Sequence, residues 1–577
     1  MSTLFPSGSI ALAISLTVAG AASAQTTHDV PGTYATIQAA ITAAAPGDTV
    51  LVQPGSYYEH DIRFLGKDLV VESTGGPEVT IVNAAFWGRG FVFDHAEGPG
   101  AVLRGFTIEN GRAPNGAWVP FGLPGLPGEH GGGILIDSAS PRIELCHFRW
   151  NEAGSGSKGG QGQTGQDGSL GSEDGETGQP GNPGGVGGRG GALFIRNGAP
   201  LIEACTFRSN VAGRGGQGGK GGTGGEGHFL FWYTGDGGDG GPGGLGARGG
   251  DGGAIATELA FATIRSCLFF DNHSGQPGLG GDGGDGGDGD NDGNPGPVGP
   301  VETQGWGGGL ALFDSNDEVN GCTLVSNSGA LGAGSFLQGG VLYNSILWSN
   351  SPDQLSATGP VLSCDVQGGF VGAGNLDLDP LFFDPALGDC RLTPGSPCIN
   401  AGDELLGTPA PMDYLGSPRI VGARLDMGAH EYPTILLGTG EDFILATFLN
   451  GQGTGDVGHK IALPGDLLTV QFDSPGMTFT WSKALFAMQA YATGTTLPPS
   501  PALPDVYING SFPGLIVFDL GTGPLGAPLL PPGGVTYGFQ VPPGLLGTTV
   551  RIQAFVISPL AANGIYATTS VHELELH

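Results

Sequence analysis

A unit that recurs with cysteine and asparagine at fixed places constrains this chain more than any other feature. It reads GGGILIDSASPRIELCHFRWN from Gly131 to Asn151 and GGALFIRNGAPLIEACTFRSN from Gly190 to Asn210. It returns as GGAIATELAFATIRSCLFFDN from Gly252 to Asn272 and GGGLALFDSNDEVNGCTLVSN from Gly307 to Asn327, then in shortened form as VLYNSILWSN ending at Asn350. Each unit alternates apolar and polar residues, as Ile134 and Ile136, then Ile143, Cys146 and Phe148 do in the first, and a period of two buries one face of a strand. Such a unit cannot close a core alone, so neighbours must stack, strand over equivalent strand, at about 4.8 Å per coil. The expected fold is all-β: a right-handed parallel β-helix over 25–433 carrying Gly-rich inserts, followed by a small antiparallel β-sandwich over 434–577.

Stacking converts repeated residues into rows. Cys146, Cys205, Cys267 and Cys322 are expected as an inward column of small apolar side chains rather than as disulfide partners. Cys364, Cys390 and Cys398 fall beyond that column, and a bridge between two of them stays open. Asn151, Asn210, Asn272, Asn327 and Asn350 are expected at turns, in the left-handed region and hydrogen-bonded to the coils above and below.

The GGAL and GGAI pairs (Gly190 to Leu193, Gly252 to Ile255) and the FxxN pattern (Phe148 to Asn151, Phe207 to Asn210, Phe269 to Asn272) resemble the repeats of polymorphic outer membrane proteins, a family of bacterial surface adhesins. More widely, the chain is similar to the pectate-lyase-like β-helix superfamily. Tyr34 to Glu59 resembles the first coil of such secreted proteins, and there Ile37, Ala40, Ile41 and Ala44 fall on one helical face, suiting a short helix that caps the open end. Asp379 to Asp403 and Asp426 to Tyr432 resemble a closing segment. The resemblance covers roughly 30–433 and implies a fold more than a chemistry.

Glycine-rich inserts at 154–190, 213–253 and 275–300 separate successive units and hold much of the 115 Gly. Their glycines keep a period of three, with one slip between Gly171 and Gly175. That period suits polyproline-II-type strands packed through glycine. Collagen is disfavoured, because proline is sparse in the GGX runs and each insert is tethered to one coil at both ends. The expectation is a glycine-packed layer beside the β-helix; the alternative is a disordered low-complexity loop.

Two features interrupt the inserts. Phe229, Leu230, Phe231, Trp232 and Tyr233 form an apolar run that would serve either as a platform for stacking sugar rings or protein, with Phe229, Phe231, Trp232 and Tyr233 as its stacking residues, or as an anchor onto the β-helix. Asp288, Asp290, Asp292 and Gly293 give the first half of a calcium loop. Gly299 stands where the bidentate acid belongs, so the cage is either open or completed by Glu302.

A net charge of -33, from 54 acidic and 21 basic residues, argues against nucleic acid, anionic lipid and polyanionic substrates, and suits a cation-rich exterior. The apolar run from Ile10 to Ala24, ending Ala22-Ser23-Ala24, reads as a signal peptide over 1–24, which places the mature chain outside the cell or on its surface. No later stretch approaches the ~20 apolar residues of a membrane span.

Catalytic precedents on this fold need calcium-binding acids with a basic residue, or paired carboxylates at one glycosidic bond. Arg149 and Arg208 repeat as solvent-facing places would, and Asp271 with His273 is the nearest approach to an acid-base pair. The reading is therefore a secreted or cell-surface protein for adhesion or for binding extracellular polysaccharide, non-catalytic and requiring no cofactor, with calcium as the candidate ion. Its alternative is a polysaccharide lyase or glycoside hydrolase acting on neutral or weakly charged glycans.

Overall fold

The computed structural model describes residues 25–169, 174–230, 233–393, 395–420 and 424–432, and further on the strands between 444 and 576. The signal-peptide segment lies outside the described residues.

The repeat builds a parallel β-helix with three columns of strands. One column runs through Thr27–Val30, Thr49–Val52, Val70–Ser73, Val102–Arg104, Arg142–Glu144, Leu201–Glu203 and Thr263–Arg265, every neighbour parallel. A second holds Phe91–Phe93, Ile134–Asp137, Leu193–Arg196 and Ile255–Glu258. The two fuse where Leu310–Asn320 and Ser335–Tyr343 run through both as single long strands. The third column is a separate nine-stranded sheet that includes Thr107–Glu109, His147–Arg149, Thr206–Arg208, Leu268–Phe270 and Thr323–Val325.

The expected rows are present. Phe148, Phe207 and Phe269 stack face to face at 4.8 Å with interplanar angles of 4° and 5°, which fixes the coil spacing. Cys146, Cys205, Cys267 and Cys322 are buried free thiols in one column. Cys364 extends that column rather than lying beyond it, with Ser345 on the rung between and its Oγ accepting from the Cys322 N–H at 3.0 Å. Cys390 and Cys398 are also free, so no disulfide forms among the described residues.

The asparagines form a continuous buried ladder in which each Nδ2 donates to the next Oδ1 at 2.9 Å, from Asn151 through Asn210, Asn272 and Asn327 to Asn350, whose own Nδ2 reaches Gln354 Oε1 at 2.8 Å. They do not take the left-handed conformation expected of them. The residue before each does: Trp150 (φ 56°), Ser209 (52°), Asp271 (56°), Ser326 (58°) and Ser349 (57°). The chain therefore turns one residue earlier, which frees the asparagine side chain to point inward along the axis.

The open end is capped by the helix Ile37–Ala43, with Thr36 Oγ1 accepting from the Ala39 N–H at 3.1 Å and Ile37, Ala40 and Ile41 buried against the first coil. At the other end the segment 379–432 does not continue the solenoid. It folds back over the outer face of the third column, burying Leu268, Phe270 and Val325 beneath Cys390, Tyr414 and Ala429. Arg419, 2% exposed, knots this segment by donating to Glu431 Oε2 at 2.8 Å and to the Asp426 carbonyl at 3.1 Å. The strands beyond 444 form two sheets: Ile444–Leu449, Leu467–Asp473 and Val535–Gln540 pair antiparallel, and a second sheet around Lys483–Ala492 and Thr548–Ile557 is antiparallel except for the parallel pair His459–Ala462 with His572–Leu576. No helix among the described residues is long and apolar enough to cross a membrane.

The inserts are hydrogen-bonded layers. Each leaves the coil just after the asparagine ladder, runs out, reverses and returns to a glycine of positive φ: Gly190 (67°), Gly252 (67°) or Gly307 (59°). The outgoing legs stack in parallel: Gly156, Gly159, Gly162 and Gly165 donate to the carbonyls of Arg214, Gln217, Lys220 and Thr223 at 2.8 to 2.9 Å. Within a layer the legs are antiparallel, as Gly250, Ala247 and Gly244 donate to Gly213, Gly216 and Gly219 at 2.8 to 2.9 Å. The described glycines inside these legs have no positive φ, so backbone conformation does not demand them. Proximity does: a Cβ on Gly219 would lie 2.0 Å from the Gly160 carbonyl oxygen, and one on Gly218 2.0 Å from that of Gly244. In the first insert the outgoing leg is bonded as far as Gly168 and the returning leg from Gly175. A further short layer precedes these three, with Gly116, Gly122, Gly125 and Gly128 bonded to the first insert.

Candidate functional site

The outer face of the third column changes character along the axis. Its inward residues Ile108, Phe148, Phe207, Phe269 and Leu324 are fully buried. The residues flanking them outward are His147 and Arg149, then Thr206 and Arg208, then Leu268 and Phe270. Where these become apolar the segment 379–432 covers them; where they are polar it stops. The edge of that cover leaves a groove of about 640 Å³, walled by Tyr414, Leu415, Gly416 and Gly388 on one side and by Ser73 and Gly76 to Glu78 on the other.

The groove floor gathers Arg149, Arg208 and His147. Arg149 Nε donates to Glu109 Oε2 at 2.7 Å and its guanidinium lies 4.9 Å from the Trp150 ring. Arg208 sits 5.1 Å over the Phe270 ring, and among the described residues no carboxylate pairs with it. His147 Nδ1 is 3.6 Å from Glu78 Oε1, and burial lowers its pKa. Burial also raises the Tyr414 phenol well above its ordinary range, so it remains a hydrogen-bond donor at neutral pH. Arg104, on the wall, is held by Glu144 Oε2 at 2.7 Å. The floor thus offers a guanidinium on an aromatic face, an imidazole and hydroxyls, a set suited to sugar rings and their oxygens.

Glu144 and Glu203 are register partners in the first column, a juxtaposition that the repeat implied through its shared Glu and that the sequence reading did not draw. Arg104 and Arg142 neutralise Glu144, and Arg265 neutralises Glu203. Asp271 and His273 do meet, Oδ1 to Nε2 at 3.2 Å, and a third group that sequence distance concealed joins them: Ser328 Oγ lies 2.6 Å from His273 Nδ1. The cluster is on open surface, Asp271 also accepts from Ser209 Oγ at 2.8 Å, and the N–H groups of Ser328 and Gly329 donate to the Asn272 and Ser351 carbonyls. With both amides occupied neither is free to hold an oxyanion beside the hydroxyl, and the cluster reads as a cross-coil brace.

The two insert features come together at the distal end of the glycine layers. Phe229–Leu230 and Tyr233–Thr234 form a two-stranded antiparallel turn with Phe229 75% exposed; Phe231 and Trp232 lie outside the described residues. Asp288, Asp290 and Asp292 form the neighbouring reversal, where Asp290 Oδ2 accepts from the Thr234 N–H at 3.4 Å and Asp292 Oδ1 from the Gly289 N–H at 3.4 Å. Among the described residues no group of three or more His, Cys, Asp or Glu side chains is placed to share a metal ion.

Fold and groove together define the class: a parallel β-helix with a lateral groove and a hydrogen-bonded glycine array. No protein-family model matches the chain, and no curated protein matches it in sequence.

Proposed function

We propose that this is an extracellular or cell-surface β-helix that binds an extended polysaccharide, without turning it over, in the groove of the third column. The observation that carries the reading is Arg208, a guanidinium seated on the Phe270 ring at the edge of the covering segment with no carboxylate beside it among the described residues. A sugar hydroxyl or ring oxygen accepts from such a donor, and His147, Thr206 and Tyr414 line the same groove with further hydrogen-bonding groups. The net charge of -33 favours a neutral or weakly charged glycan. Retention on a glycan array, with and without calcium, tests the proposal: the wild-type protein should be retained without release of products, and Arg208→Ala should weaken retention at least about tenfold. Unsaturated products or new reducing ends would establish the lyase or hydrolase alternative, and equal retention of Arg208→Ala would remove the groove from the explanation.

A further inference from the structure

The glycine array is a lattice, and its last layer is unfinished on one side. In every inner layer one glycine N–H per triplet points onward to the next: Gly215, Gly218, Gly221 and Gly224 donate to the carbonyls of Gln276, Leu279, Asp282 and Asp285 at 2.8 to 2.9 Å. The same places in the third insert are Pro277, which has no N–H, and then Gly280, Gly283 and Gly286. Those three N–H groups have no acceptor among the described residues.

The returning leg of that layer is closed off. Gly237, Gly240, Gly243 and Gly246 donate onward to Asn291, Asn294, Pro297 and Pro300, and their counterparts one layer out are Asp292, Pro295, Val298 and Val301. Val298 is 69% and Val301 53% exposed, so side chains occupy the space that a further strand would need. The outgoing leg cannot be closed in this way. A Cβ on Gly280, Gly283 or Gly286 would sit 1.8, 1.7 or 1.8 Å from the carbonyl oxygens of Gly299, Gly296 and Gly293 in its own layer. Glycine is thus compulsory there, and a row of donors faces outward at a three-residue period, about 9 Å apart for a polyproline-II strand. An exposed backbone ladder is a template for another strand.

We propose that this row, Gly280, Gly283 and Gly286 flanked by Asp282, Asp285 and Asp288, is a docking edge for a glycine-rich, basic peptide in extended polyproline-II conformation. The inner layers specify the occupant. A strand docked there must carry glycine at one place in each triplet, because a Cβ at the corresponding Gly278, Gly281 or Gly284 of the third layer would lie 1.9 Å from the carbonyl oxygen of Gly216, Gly219 or Gly222 beneath it. Its third residue falls beside the aspartates, and Lys220 already shows the interaction, its Nζ reaching Asp285 Oδ2 from the layer below at 2.7 Å. A second copy presenting the same face would set aspartate against aspartate.

The test uses the full-length protein with two synthetic peptides of equal charge, (Gly-Gly-Lys)6 and (Ala-Ala-Lys)6. Residue-resolved hydrogen exchange should find the Gly280, Gly283 and Gly286 amides fast in the free protein, with Gly218, Gly221 and Gly224 protected. Adding the glycine peptide should slow the three fast amides about tenfold or more, with a Kd at least tenfold below that of the alanine peptide. Changing Asp282, Asp285 and Asp288 together to Asn should weaken the glycine peptide without altering protection of Gly218, Gly221 and Gly224. Equal affinity for the two peptides, or binding that leaves the three amides fast, would overturn the proposal, as would their concentration-dependent protection in the protein alone, which would make a second copy the occupant.

Discussion

Asn272 holds Asn210 twice: its Oδ1 accepts from the Asn210 backbone N–H at 3.0 Å and from the Asn210 Nδ2 at 2.9 Å. Asn210 holds Asn151 in the same way at 3.1 and 2.9 Å, while its Nδ2 also donates to the Phe148 carbonyl at 3.0 Å. Asn210→Ala therefore orphans groups on two coils at once, in a place with no exposure to water. Each buried orphan costs about 1–3 kcal/mol, so denaturant unfolding should report a loss of about 3 kcal/mol or more. Asn350→Ala, at the end of the ladder where Gln354 can move in, should cost distinctly less. Equal losses would mean that the ladder's continuity contributes nothing.

The cysteine column makes a cheaper claim. All seven cysteines are buried free thiols, and burial pushes Cys364 and Cys390 up to about 12. A group so rarely ionised is a poor nucleophile. A thiol reagent should label almost nothing in the native protein and seven thiols after denaturation, and reductant should leave the melting temperature unchanged. A lower count after denaturation would indicate an oxidised pair.

Glycine in the array is required by distance, which gives a contrast between adjacent positions. Gly219→Ala would drive a methyl to 2.0 Å from the Gly160 carbonyl oxygen and must separate two layers, at about 1–3 kcal/mol or more. Gln217→Ala, two residues away on an outward-facing place, should be close to neutral. Hydrogen exchange should show Gly219→Ala losing protection at the neighbouring Gly159, Gly162 and Gly222 amides, with the coils unaffected. Uniform fast exchange already present in the wild type would show that the layers do not form.

How far the sequence carried these conclusions depended on whether a feature repeats. Cys146, Cys205 and Cys267, or Phe148, Phe207 and Phe269, become neighbours by translation along one axis, so a period in the sequence is a distance in space. The capping helix was legible for a different reason, since Ile37, Ala40 and Ile41 carry their own helical spacing. The Cys364 rung was missed because Ser345 breaks the cysteine pattern once, and the layer before Gly131 because Trp118, Pro120 and Phe121 dilute its glycine period. The groove was not legible at all. It exists because residues near 76, 147, 208 and 414 meet when a non-repeating segment folds back, and no period encodes that encounter. The fold-back did leave one trace: the outward residues after Phe207 turn from Thr and Arg to Leu and Phe, which only a covered face would require.

The root of the array should respond to acid. His130, at the end of the short first layer, lies 4.3 Å from the Phe194 ring, and its Nδ1 accepts from the Arg189 N–H at 2.9 Å. Burial, followed by the charges of Arg189, Arg196 and Arg89 against the weaker pull of Glu129, holds its pKa down to about 4. For a base depressed in this way the folded protein binds fewer protons than the unfolded chain between about pH 6.5 and pH 4. Its contribution is therefore complete above pH 6.5 and lost as the pH falls through 4, on the order of 3 kcal/mol in all. Acid also neutralises many carboxylates elsewhere, so the useful measurement is a difference. His130→Gln keeps an acceptor but cannot titrate; the gap in melting temperature between wild type and variant should narrow from pH 7.5 to pH 4.5. A gap that stays constant across that range would show that His130 is not held neutral, and that the seam between array and coil is wetter than its packing implies.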